Sequence, residues 1–331
     1  MNNSLRRYAI TVAVLWLVLP AAGLYYAHTL ATPGYIAFAV IAACLLEAAF
    51  YIVPGFEGVS RRILRLGSGA RLACLLTATG VAPYLVYALL SSAFSWQRFV
   101  LLLALAALAS FWFVVMPRAG WSDSLFLLVM LAVYLSGLFR VVCPLLPAAP
   151  KVPVDFLPRL MWVRVGIAAC LYLRRSKVPG FGFLPTWRDW KYGVLHFLCF
   201  LPLSYALNLA IHFARLRTWP QDWTRPLLFA VPMFFGMLWV TVLTEEFFFR
   251  GLLQQWLRKW TASTTAAVLI TAVLFGSVHL IFPPGFPNWR FAALASLAGV
   301  FYGLAMQNAG SLRAAMVTHA LVNVTWRLFF V

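Results

Sequence analysis

The sequence predicts an all-α fold, a polytopic membrane bundle of about eleven transmembrane helices. Composition is the first reason. Of 331 residues, 63% are hydrophobic and 10% charged, with a mean hydropathy of +0.88. Soluble domains are about half apolar and about a quarter charged. The second reason is length, because the apolar runs are close to the ~20 residues that a hydrocarbon core about 30 Å thick requires of a helix. The third is the placement of charge. The net charge of +18 is spread over the ends of the apolar runs rather than gathered on one soluble face. That distribution excludes a nucleic-acid partner and fits a lipid bilayer.

The runs follow one another closely. The first, 8–28, comes after Arg6 and Arg7 as a signal peptide would. It lacks a convincing cleavage site and leads straight into the next run, so a retained helix is expected. Runs at 35–54, 72–91 and 98–117 follow, then 123–146, which contains Arg140, and 157–173, the weakest, interrupted by Arg159 and Arg164. Glu47 and Arg140 are expected to snorkel toward an interface rather than pair across helices. Segment 174–191, rich in Pro, Gly, Trp and basic residues, reads as a membrane-surface connector. It divides an N-terminal transmembrane region of unknown role, 1–173, from a core at 192–331. The core holds runs at 192–214, 226–249, 262–282, 291–308 and 312–331. With a cytoplasmic N-terminus, Arg61, Arg62, Arg65, Arg71, Arg174, Arg175 and Lys177 fall on the inside. This excess of inside charge favours that orientation for a multi-pass membrane protein. The five cysteines lie within or at the ends of apolar runs without C-x-x-C spacing, and read as small hydrophobes.

Nearly all the candidate chemistry lies in the C-terminal core. "TEEFFFRG" puts Glu245, Glu246 and Arg250 into an otherwise apolar helix, where each charge costs on the order of 2.5–3.5 kcal/mol on insertion scales. Glu246 and Arg250 are i and i+4 and can form an ion pair, while Glu245 is rotated away and free to face something else. "FGSVHL" places His279 deep in the next span, one turn after Phe275 on the same face. "THALVN" places His319 and Asn323 on one face of the last span. A turn near 258–263 brings Glu245 and His279 to similar depth. A buried Glu can act as general base toward water, with a His holding the same water. His319 and Asn323 are suitable donors to an oxyanion.

Other protease classes leave no trace: there is no H-E-x-x-H and no G-x-S-x-G. No cofactor or metal is expected. Glu245, His279 and His319 also make up a His₂Glu set, so a zinc-dependent variant stays open. A non-catalytic transporter or bacteriocin-immunity protein could use the same polar cluster.

The ordered triple E-E-x-x-x-R, F-x-x-x-H and H-x-x-x-N on successive helices resembles the three motifs of the CAAX-protease and bacteriocin-processing family of glutamic-type intramembrane endopeptidases. The resemblance covers roughly residues 190–331, including "GVFYG" at Gly299–Gly303, a small-xxx-small face. It implies that Glu245 activates water with His279, that His319 and Asn323 form the oxyanion site, and that Glu246 and Arg250 support the geometry. It also implies a membrane-associated protein or peptide as substrate, cut near its C-terminus. The N-terminal half is a departure from the compact family core.

Overall fold

The computed structural model describes residues 3–67, 69–218, 223–283 and 285–331. Among these the protein is helical without named strands, and nine helices are long and apolar enough to cross a membrane. The chain divides into two compact units, Met1–Lys177 and Val178–Val331.

The first unit contains α1 (Asn3–Thr29), α2 (Gly34–Tyr51), α3 (Glu57–Arg65), α4 (Gly69–Leu90), α5 (Trp96–Val115), α6 (Gly120–Leu135), α7 (Leu138–Val142) and α8 (Phe156–Ala168), which continues as a π-helical turn, Ala169–Leu173. Within it, α4 packs against α2, α5 and α8. The expected span at 123–146 is not continuous. It breaks at Gly137, whose φ of +79° takes the chain out of the helix. The preceding helix is then only 16 residues long.

The reading of Glu47 as a snorkelling residue is corrected. Glu47 is 2% exposed and faces Arg164, which is 4% exposed. Arg164 Nε donates to Glu47 Oε1 at 2.7 Å and Nη2 to Oε2 at 3.0 Å, a bidentate pair. The same guanidinium also donates to the Thr79 carbonyl at 2.7 Å. Arg164 had counted against this span; it proves to be the partner that lets Glu47 stay in the interior. Arg140, by contrast, is largely exposed, 3.7 Å from Asp155.

The second unit opens with α9 (Trp187–Ile211), started by a reciprocal cap in which Asp189 accepts from the Thr186 backbone and Thr186 accepts from Asp189 N–H. A long apolar segment, Pro226–Thr261, comprises α10 (Thr224–Gly236), α11 (Leu243–Glu246) and α12 (Gln254–Thr261). Two π-helical stretches, Met237–Val242 and Phe247–Leu253, join them. The turn to α13 (Thr264–Val278) uses Ala262 at φ +51° and Ser263 as N-cap. Next come α14 (Trp289–Ala309), closed by Gly310 at φ +64°, and α15 (Leu312–Phe329). Helix α15 packs on α9 and α14. It is less apolar than the nine candidate spans because Arg313, His319, Asn323 and Arg327 interrupt it. Residues 314–320 are nevertheless all buried, so protein rather than lipid surrounds that stretch.

Removing one partner of the buried pair should expose its cost. Arg164→Leu leaves Glu47 unpaired and should cost about 3–5 kcal/mol, whereas Glu47→Leu with Arg164→Leu should recover most of it. Thermal unfolding in detergent micelles measures both. Arg140→Ala should leave the midpoint where it is.

Candidate active site

Glu245 and Glu246 lie on α11, Arg250 on the π-helical stretch after it, His279 just beyond α13, and His319 and Asn323 on α15; of these, Glu246, Arg250 and His319 are joined by hydrogen bonds. Glu246 and Arg250 are both completely buried, and Arg250 Nη1 donates to Glu246 Oε1 at 3.1 Å. The guanidinium is held on two further sides. Nη2 donates to the Gly299 carbonyl at 3.2 Å, and the cation lies 4.3 Å from the Phe275 ring centre and 5.1 Å from that of Tyr302. A Cβ at position 299 would come within 3.1 Å of Nη2 and 3.0 Å of the Ala272 backbone. Glycine there is what lets the arginine reach α14.

Glu246 Oε1 has a second partner, His319 Nδ1 at 2.7 Å. A carboxylate only accepts, so the proton of this bond belongs to Nδ1. The other imidazole nitrogen, Nε2, lies 3.7 Å from Glu245 Oε2. The Tyr302 ring stacks on His319 with centres 4.2 Å apart and planes 15° from parallel. Phe275 meets the same imidazole edge-on. His319 is thus clamped by a carboxylate and two aromatic rings, with one nitrogen turned toward Glu245. Glu245 itself is a third exposed, unlike its fully buried neighbour.

His279 occupies a different position from the one expected. It does not lie deep in a helix, because α13 ends at Val278 and His279 opens a 3₁₀ turn, His279–Ile281. Its Nδ1 bonds to the Phe275 carbonyl at 2.9 Å, which leaves Nε2 as the acceptor of a neutral ring. Phe275, Phe282 and Phe291 surround it. Phe275 therefore touches both histidines, and no direct hydrogen bond joins His279 to Glu245 among the described residues. Asn323, one turn beyond His319, is half-buried, and its side chain makes no hydrogen bond among the described residues. No three His, Cys, Asp or Glu side chains among the described residues group as metal donors.

Several residues of this arrangement were not singled out from the sequence. Tyr302 is one, although it lies between the two glycines of "GVFYG" and a helical face shared with them was countable. The Gly299 carbonyl is another, and a backbone acceptor leaves no signal in residue type.

Residues 226–325 match the family model described as type II CAAX prenyl endopeptidase Rce1-like. Neither a curated protein nor a solved structure matches the chain. The matched stretch runs from α10 into α15 and takes in every residue of the three motifs. Over residues 226–325, therefore, the chain is similar to the Rce1-like CAAX endopeptidases, a family of membrane-embedded proteases.

Proposed function

We propose that the second unit is a glutamic-type endopeptidase, in which Glu245 takes a proton from water and the water oxygen attacks the carbonyl carbon of a peptide bond. The observation that carries this reading is the pairing of a buried Glu246, bonded to Arg250 and His319, with a more exposed Glu245 on the far side of the same imidazole. Two adjacent carboxylates in such different surroundings suit different tasks. Glu246 is committed to structure, and Glu245 is available to a reactant.

In this scheme His279 Nε2 accepts the second hydrogen of the water, since its Nδ1–H is occupied by the Phe275 carbonyl. The developing oxyanion receives hydrogen bonds from Asn323 Nδ2 and from His319 Nε2. To donate from Nε2 the His319 ring carries both protons, and the Glu246 carboxylate on Nδ1 offsets the charge. Collapse of the tetrahedral intermediate breaks the C–N bond. The proton taken by Glu245 then passes to the leaving amine. No metal or cofactor enters the scheme.

The substrate in this reading is a membrane-associated protein or peptide, because an attacked bond has to reach side chains set among membrane helices, and the family resemblance implies a cut near its C-terminus. In this reading the N-terminus is cytoplasmic, the orientation that the charge asymmetry of the loops favours.

Glu245→Gln is nearly isosteric and should lower turnover about 10²–10⁴-fold while leaving expression unchanged. Comparing the peptide termini of membrane proteins from cells with wild type and with Glu245→Gln identifies the substrate at the same time. Termini that are identical in the two cells, with both proteins equally folded, would refute the reading. Asn323→Ala should lower kcat about 10²–10³-fold with little change in KM, measured on the substrate so identified. Arg250→Ala should reduce expression as well as activity, since it strands a buried carboxylate at a cost of about 3–5 kcal/mol.

A further inference from the structure

The second unit buries polar atoms that its hydrogen bonds do not account for, and most of them belong to residues on one helix. Glu246 Oε2, Arg250 Nε, both amide atoms of Gln254 and Thr271 Oγ1 are buried without a hydrogen-bond partner among the described residues. Glu246, Arg250, Gln254 and Thr271 are each 0% exposed. Three of the four are spaced by four residues on a single helix. The π-helical stretch Phe247–Leu253 lies between them. Its hydrogen bonds span five residues instead of four, so it turns less per residue, and positions four apart stay closer to one line than in an α-helix.

The facing helix has the matching register. A Cβ at Gly299 would lie 3.1 Å from Arg250 Nη2, and a Cβ at Gly303 would lie 2.9 Å from Gln254 Oε1. Two glycines four apart thus face two polar side chains four apart. Helix α13 closes the third side, with Ala272 against Gly299 and Val268 against Gly303. The row on α12 continues to Arg258, which is exposed, and the glycine row on α14 continues to Gln307, which is half-buried. From Glu246 to Arg258 is roughly 18 Å at ~1.5 Å per residue, about the depth from mid-membrane to one surface.

An unpaired polar group buried in a membrane protein costs several kcal/mol, and three such residues follow one another at four-residue spacing on one helix. Buried water is what satisfies such groups in proteins, each molecule making about three hydrogen bonds. We propose that Gln254 joins Glu246 and Arg250 in lining a file of internal water that runs between the Arg258 end of α12 and the carboxylate pair. This file brings to Glu245 the water consumed in hydrolysis. The second part rests on the protease reading above; the first does not.

Water-edited solid-state NMR tests the file without reference to activity. The protein is ¹⁵N-labelled at glutamine side chains and held in bilayers, and Gln254→Asn assigns the signal. The Gln254 amide should build up polarisation from water nearly as fast as exposed Gln97. A build-up as slow as that of the dry helix interior overturns the file.

Turnover tests the supply. Gln254→Leu removes about one hydrogen bond to water and should lower kcat about tenfold at unchanged KM, while Gln254→Asn retains more than half of the rate. Equal kcat in Gln254→Leu and wild type overturns the supply route even where NMR finds water. Undiminished turnover by Glu245→Gln strikes the protease reading alone and leaves the NMR result standing.

Discussion

One carboxylate oxygen, Glu246 Oε1, organises the second unit. It accepts from Arg250 on its own helix and from His319 on α15, so a single atom ties together two of the three motif helices. In water such an atom could exchange partners cheaply. Completely buried among membrane helices it cannot, because any partner lost leaves a charge unsolvated. The arginine then spreads the constraint to α13 and α14 through the Phe275 ring, the Tyr302 ring and the Gly299 carbonyl. Close helix approach at Gly299 and Gly303 serves these polar contacts as much as apolar packing.

The same logic holds in the first unit with a different pair. Glu47 and Arg164 satisfy each other bidentately, with the Thr79 carbonyl taking a further guanidinium hydrogen. The helix that carries Arg164 is one of the most buried spans, and ten of the thirteen residues of α8 are buried. Both α8 and α15 therefore turn a buried polar residue, Arg164 and His319, toward protein. This is why both look weak as membrane segments when hydropathy alone is counted.

Legibility in the sequence followed distance along the chain. The Glu246–Arg250 contact is a four-residue spacing on a helix, and so could be read directly. The hairpin between α12 and α13 was readable from its polar turn. The pairing of Glu47 with Arg164 joins residues 117 apart, and no periodicity encodes which helices become neighbours. The bond from His319 to Glu246 was hidden for the same reason. Helix spacing put His319 beside Asn323 but said nothing of what lay across from it. His279 was expected within a continuous helix, but an apolar run does not reveal where a helix changes form; α13 ends at Val278 and a 3₁₀ turn carries the apolar span on to Ile281.

The π-helical stretches on either side of the two glutamates connect these points. An α-helix turns about 100° per residue, so residues 246, 250 and 254 would drift around its surface and lose contact with a single partner helix. The wider turn of Phe247–Leu253 counters that drift and keeps Arg250 and Gln254 opposite Gly299 and Gly303. The departure from regular helix costs hydrogen-bond geometry, and such distortions occur frequently at functional sites. Here it has an identifiable return. It sets Glu246 where both Arg250 and His319 reach one oxygen, while Glu245, one residue earlier, stays a third exposed. The difference in burial between two adjacent glutamates, on which the roles proposed for them rest, is therefore a property of the helix geometry rather than of either side chain.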